Sequence, residues 1–238
     1  MPELISTNPR HSDSLGYSRS KWVAESICDA YHKKYVCEVS ENDSIAVLRI
    51  GQLTGDLENG IWNMNEAWPL MLSTTKELKC LPEIHEPLTW LPVDIVAKAI
   101  VEIAMAADVA VASTMQKEDQ VCPVYHLVRN PPETTGNYRT PYWRDLWYFL
   151  ECRGVKVEVV DPEIWLERLE KLESHPAKAL LGLWRRAYSK DALESSRSKK
   201  APSFNMRNTQ TVAKIMRDIP EVDRALLGKI WVWLDKNI

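Results

Sequence analysis

Gly16-Tyr17-Ser18-Arg19-Ser20-Lys21-Trp22-Val23-Ala24-Glu25 is the stretch on which the reading of this chain turns. Tyr17 and Lys21 stand four residues apart, and in a helix residues at that spacing lie one above the other on one face. A phenol beside a fixed ammonium ionises more readily, because the positive charge stabilises the phenolate. Such a phenol can protonate a carbonyl oxygen while hydride arrives at the carbon. The chain has 8 Tyr among 238 residues, so the spacing alone is a weak signal and the flanking sequence has to carry it. Val23, Ala24, Ile27, Ala30 and Tyr31 continue an apolar face and predict a helix from Gly16 to about Lys34.

Strands and helices alternate beyond this helix. The apolar run Ile45 to Ile50, stopped by Gly51, has the pattern of a buried parallel strand. A helix is expected from Trp68 to Thr75, with Pro69 tolerated in its first turn. Another is expected from Pro92 to Ala107. There Asp94 suits the positive end, and Ile95, Ala99, Ile103 and Ala106 share a side. Val124 to Val128 reads as a second strand, Pro131 to Pro141 as a loop, and Trp143 to Cys152 as a helix. Val155, Val157 and Val159 alternate in a third strand over 155–160. Helices follow at about 162–173, 175–188, 209–217 and 220–236, with a Ser/Lys/Pro-rich linker from Ser195 to Ser203. The fold class is therefore α/β followed by a mainly helical lobe. The expected division is 1–160, with an insertion at about 56–90, and 161–238.

Gly16-Tyr17-x-x-Ser20-Lys21-Trp22-Val23-Ala24-Glu25 resembles the active-site helix of thioester reductases. These are extended short-chain dehydrogenase/reductases: the terminal reductase domains of nonribosomal peptide synthetases and polyketide synthases, and carboxylic-acid-reductase-like proteins. Four further stretches match in order: Leu48 to Asp56, Gly60 to Leu70, Leu88 to Ala97, and Tyr125 to Pro131. Beyond about residue 160 the resemblance is loose. It implies a Rossmann-like parallel sheet. It also implies an NADPH-dependent reaction that releases a carrier-bound acyl or peptidyl thioester as an aldehyde. In that reaction Tyr17 is the proton donor, and Lys21 tunes it and holds the nicotinamide ribose. Ile50, Gly51 and Gln52 line the nicotinamide end. Trp62, Asn63 and Trp68 lie at the acyl group. The Trp-rich segment Gly60 to Pro69 sets this family apart from extended reductases acting on sugar nucleotides or sterols.

In that family a glycine-rich nucleotide fingerprint, the residue that selects NADPH and a catalytic Ser or Thr precede the Tyr helix. Here sixteen residues precede Tyr17, and Gly51, Gly55 and Gly60 follow the helix as turn glycines. The resemblance thus implies a truncated, C-terminal portion. Its partners would be a phosphopantetheinyl carrier protein or synthase, and a chain that supplies the nucleotide-binding half. The alternative is a catalytically incompetent remnant or accessory module that binds such a partner.

Composition narrows the field. The formal charge is −3 with a pI near 6.0, and Arg185 to Lys200 is interrupted by Asp191 and Glu194, so nothing suggests nucleic acid. No apolar run approaches the about 20 residues of a membrane span, and no secretory leader opens the chain, which reads as cytoplasmic. The 5 Cys are scattered without metal-ligand spacing, and no metal site is expected. His126, inside an apolar strand, reads as a satisfied core histidine.

Overall fold

The computed structural model describes residues 1–12, 15–36, 44–112, 121–130, 142–192 and 202–238. In chain order its elements are α1 (Gly16–Tyr31), β1 (Val47–Ile50), β2 (Leu53–Thr54), α2 (Ala67–Ser73), α3 (Thr75–Leu78), β3 (Cys80–Pro82) and β4 (Leu91–Pro92). There follow α4 (Val93–Ala112), β5 (Val124–Leu127), α5 (Trp143–Cys152), β6 (Glu158–Val160), α6 (Pro162–Lys171), α7 (Leu181–Ala187), α8 (Arg207–Val212) and α9 (Arg224–Asn237). The strands form three two-stranded parallel pairs, β1–β5, β2–β4 and β3–β6. The expected loop at 131–141 and most of the linker after Ser195 lie outside the described residues.

The chain divides into two compact units that cut across its linear order. One comprises residues 1–52, 94–130 and 203–219, the other 53–93, 131–202 and 220–238. In the first unit β1 and β5 pair from Val47↔Val124 to Ile50↔Leu127. The ladder extends at both ends, through Val47 N–H to the Pro123 carbonyl (2.8 Å) and Gly51 N–H to the Leu127 carbonyl (2.9 Å). Val47, Cys122 and Val124 form a small core, against which Ile5, Cys28 and Ile45 pack. Ile95, Val96, Ala99 and Ile103 bury the 3.6-residue stripe of α4. Helix α1, in contrast, buries none of its residues.

The chain start is irregular apart from a short 3₁₀ turn at Pro9–His11, yet Glu3 is 5% exposed. Its carboxylate accepts the N–H groups of Asn208 (2.6 Å) and Thr209 (2.8 Å) and the Thr209 hydroxyl (2.5 Å). Thr209 Oγ1 accepts in turn the His126 N–H at 2.7 Å, so a β5 amide is satisfied by α8.

The second unit is organised by tryptophan. The Trp62 ring lies 4.9 Å from Trp90, and Trp68 lies 5.3 Å from Trp90 and 5.2 Å from Trp143. Trp165 meets Trp184 edge-on at 5.0 Å. Each large ring contributes much buried apolar area, provided its N–H finds an acceptor. Trp143 donates to the Pro82 carbonyl (2.7 Å), Trp165 to Thr74 Oγ1 (3.2 Å) and Trp62 to Glu66 Oε2 (3.2 Å). Helix α9 packs directly on a turn. Gly60 has φ +70°, and a Cβ there would lie 2.4 Å from the Ile230 nitrogen. Asp56 closes the turn by accepting N–H groups of Glu58 (3.0 Å), Asn59 (2.7 Å) and Ile61 (2.8 Å).

Several elements differ in extent from the sequence expectation. The third strand begins only at Glu158, because Val155 N–H turns back to the Leu150 carbonyl (3.1 Å), and it pairs with β3. The helix expected over 175–188 is a 3₁₀ turn, Pro176–Leu180, followed by α7. That over 209–217 is α8 plus a 3₁₀ turn, Lys214–Arg217, separated where Ala213 takes ψ 90°.

Candidate active site

Contacts of α1 fix how it runs beside β1. Cys28 packs with Val47 and Ile45, while Glu25 receives Nε (2.8 Å) and Nη2 (2.7 Å) of Arg49. Moving backwards along α1 therefore means moving forwards along β1, so helix and strand are antiparallel. At about 1.5 Å per helical residue, Lys21 lies about 6 Å and Tyr17 about 12 Å beyond Glu25. At about 3.3 Å per strand residue, that carries the pair past Ile50, to the carboxyl end of β1. Ligands of open α/β sheets bind at the carboxyl ends of parallel strands.

The two side chains share a helix face with Glu25 and Cys28. At about 100° per residue, Tyr17, Lys21, Glu25 and Cys28 fall within about 80° of one another on the helix. Glu25 and Cys28 touch the sheet, so the Tyr-Lys face is the sheet-side face. The Lys21 ammonium sits over the Tyr17 ring, 5.2 Å from its centroid, close enough for a cation–π attraction. Tyr17 is 72% exposed, and among the described residues its hydroxyl has no hydrogen-bond partner.

Arg49 holds this geometry in place. Besides the forked bond to Glu25, its Nη2 donates to the Leu4 carbonyl (3.0 Å) and its Nη1 to His126 Nε2 (3.1 Å). His126 Nδ1 lies 2.8 Å from the Asn205 carbonyl, which can only accept. Nδ1 therefore carries the hydrogen and Nε2 is the acceptor. Burial pushes the His126 imidazole below its ordinary pKa. The Asn205 hydrogen bond opposes that shift and the Arg49 charge reinforces it. His126 is thus a core histidine with both ring nitrogens engaged.

Of the residues expected near a nicotinamide, Ile50 presents a 45% exposed side chain at the end of β1. Gly51 is held by its ladder bond, and a Cβ there would make an ordinary 3.4 Å contact with Val128. Gln52 is half-buried. In the other unit Trp62 is 3% exposed and belongs to the tryptophan core, with Trp68 packed against it. Asn63 is exposed, and its Oδ1 accepts the Asn65 N–H at 3.1 Å. Among the described residues no His, Cys, Asp and Glu cluster could hold a metal, and no helix is long and apolar enough to cross a membrane.

Comparison with known proteins matches residues 3–100 to a family described as male sterility protein, the NAD_binding_4 family. All of this chain superposes on 53% of the terminal reductase domain from the myxalamid polyketide synthase–peptide synthetase pathway (TM-score 0.70, 20% identity). In sequence it is 34% identical over 121 residues to the non-reducing polyketide synthase tazA of Aspergillus terreus, covering 49% of this chain and 4% of the synthase. Residues 3–100 thus match a nucleotide-binding family, and the chain has the fold of part of a terminal reductase domain. The adenylate-forming reductase stbB of Stachybotrys bisbyi is 37% identical over 90 residues, which is 38% of this chain and 8% of that protein. The reductase domain of a Mycobacterium tuberculosis peptide synthetase aligns with 92% of this chain over 51% of its own (TM-score 0.61, 20% identity). The chain thus spans about half of these solved reductase domains and a small part of the curated synthases.

Sequence reading passes over Glu3, Glu25, Arg49 and Thr209 as structural ties. One signal was available. Arg49 sits inside an apolar strand, and a charge in such a place has to be paired. Glu3 carries no local signal, since its partners lie about 205 residues away.

Proposed function

We propose that the chain carries the proton-donating side of an NADPH-dependent thioester reductase, which releases a carrier-bound acyl group as an aldehyde. The observation that carries this reading is the Lys21 ammonium over the Tyr17 ring at the carboxyl end of a parallel strand. A bound reduced dinucleotide would supply hydride to the thioester carbonyl carbon. Tyr17 donates a proton to the carbonyl oxygen as negative charge develops there, and Lys21 offsets that charge on the phenol. The carbon–sulfur bond then breaks, the carbonyl re-forms as aldehyde, and the carrier's thiol takes up the remaining proton. On this reading Ile50, Gly51 and Gln52 would line the nicotinamide end. A carrier partner is supported by the relatives, which are synthase modules, and by a structural neighbour that is an archaeal thiolation–reductase di-domain (TM-score 0.62, 20% identity).

A second reading is a module that binds a carrier or synthase without catalysis. It is favoured by the 72% exposure of Tyr17. Thiol release from an acyl-phosphopantetheine thioester, with and without NADPH, separates the two. Release that requires NADPH supports the reductase reading. Tight carrier binding with no NADPH-dependent release supports the second.

A further inference from the structure

The first unit contains a cavity of about 500 Å³ whose walls include Asn130, Asn205, Arg207, Gln210, Thr211 and Arg217. That volume lies in the range of small-molecule sites, about 300–1,000 Å³. The cavity belongs to the same end of the sheet as Tyr17 and Lys21, because Asn130 lies three residues beyond Leu127, the last residue of β5.

Its walls are anchored. Asn130 exchanges two hydrogen bonds with the backbone of Phe204, both 2.8 Å, and Asn205 accepts from the buried His126. Glu3 fixes the amides of Asn208 and Thr209 from behind. The polar groups around the rim are occupied within the fold. Thr211 Oγ1 donates to the Arg207 carbonyl at 2.7 Å, and Asn205 Oδ1 accepts the Arg207 N–H at 2.9 Å.

The two guanidinium groups are different. Among the described residues Arg217 uses only Nε, to the Gln210 carbonyl at 2.6 Å, which leaves both Nη groups without a partner there. The Arg207 side chain has neither an ion pair nor a hydrogen bond among the described residues. Among the described residues no carboxylate lines the cavity. Two arginines around one hollow, with no counter-charge among the described residues, form a receptor for an anion. The planar fork of arginine matches the oxygens of a phosphate.

We propose that this cavity binds a phosphate ester through Arg207 and Arg217, and so seats a phosphorylated substrate or cofactor at the end of the sheet that carries Tyr17. Its role in turnover rests on the reductase reading above; the binding itself does not. Two ligands of that reading carry such a group, the phosphopantetheine arm and the dinucleotide.

The test is calorimetric titration of the 238-residue protein with 4′-phosphopantetheine, pantetheine, NADPH and inorganic phosphate. A phosphate ester is expected to bind at least 10-fold more tightly than pantetheine, with affinity that falls as salt rises. Arg207→Ala and Arg217→Ala should each weaken it at least 10-fold, Arg207→Ala without a change in melting temperature, and Arg217→Lys should weaken it less. Loss confined to 4′-phosphopantetheine assigns the site to the arm, and loss confined to NADPH assigns it to the dinucleotide. Unchanged affinities in the double alanine variant, or no binding of either ester to the parent, overturn the proposal. Tyr17→Phe should leave these affinities intact, so failure here is distinct from failure of the catalytic reading.

Discussion

Replacing Arg49 by Leu should loosen the β1–β5 pair and release α1 from it. The Arg49 and Glu25 side chains are 24% and 18% exposed and joined by two bonds of 2.8 and 2.7 Å. Removing one member of a buried pair costs about 3–5 kcal/mol, because the other charge is left without a partner. Partial exposure lets water relieve part of that, so about 2–3 kcal/mol is expected. The Leu4 carbonyl and His126 Nε2 lose a donor as well. Hydrogen exchange read by mass spectrometry on peptides covering 45–52 and 121–130 reports the opening of this pair. At about 1.4 kcal/mol per factor of ten, protection there should fall about 30- to 150-fold. Arg49→Lys keeps the charge and loses the fork, so its effect should be intermediate. A fall of less than about 3-fold in Arg49→Leu, where about 30-fold or more is expected, would mean that Arg49 does not hold α1 on the sheet.

Three further outcomes are expected. Gly60→Ala should cost about 2–5 kcal/mol, from its left-handed φ and from overpacking against Ile230. Every tryptophan but Trp22 lies in that unit, so urea unfolding followed by fluorescence reads the loss directly. Gly154→Ala, at φ +80° with nothing within 4 Å of the added Cβ, should cost only the backbone part. Burial raises the Asp56 carboxyl, but the N–H groups of Asn59, Ile61 and Glu58 outweigh it and hold its pKa below the usual value. Its contribution is therefore present above about pH 4 and lost as pH falls through the folded value. Asp56→Ala should lower stability at pH 7 by about 1 kcal/mol, with a smaller difference near pH 2. His126 has a lowered pKa, so the unfolded chain takes up its proton first as pH falls. Its contribution is full above about 6.5 and declines below that. The melting temperature should drop from pH 7 to pH 5, and less steeply in His126→Gln.

How much of this was legible depends on range along the chain. Helix α5 was readable to the residue because Trp143, Leu146, Phe149 and Leu150 form one buried stripe. Strands β1 and β5 were readable as apolar runs closed by turn residues, and their parallel pairing agrees with the alternation of strands and helices. Strands β2, β3 and β4 have two or three residues each, too few to show any period. The Tyr-Lys pair was visible because both residues lie on one helical turn. Whether a sheet end lies beside them depends on Glu25 meeting Arg49, 24 residues away, which periodicity does not encode. The arginine-lined cavity was hidden for the same reason, because residues near 130 meet residues 204–217 only after folding. Trp62 and Trp68 belong to a chain with 10 Trp against 2 Phe, and the fold uses them as packing anchors.

The most direct test of the central claim is the rate of NADPH-dependent thiol release by Tyr17→Phe against the parent protein, at matched melting temperature. A general acid contributes about 10²–10⁴-fold, and a loss of that size in turnover is the predicted result. Equal rates for the two proteins would contradict it and take Tyr17 out of the chemistry.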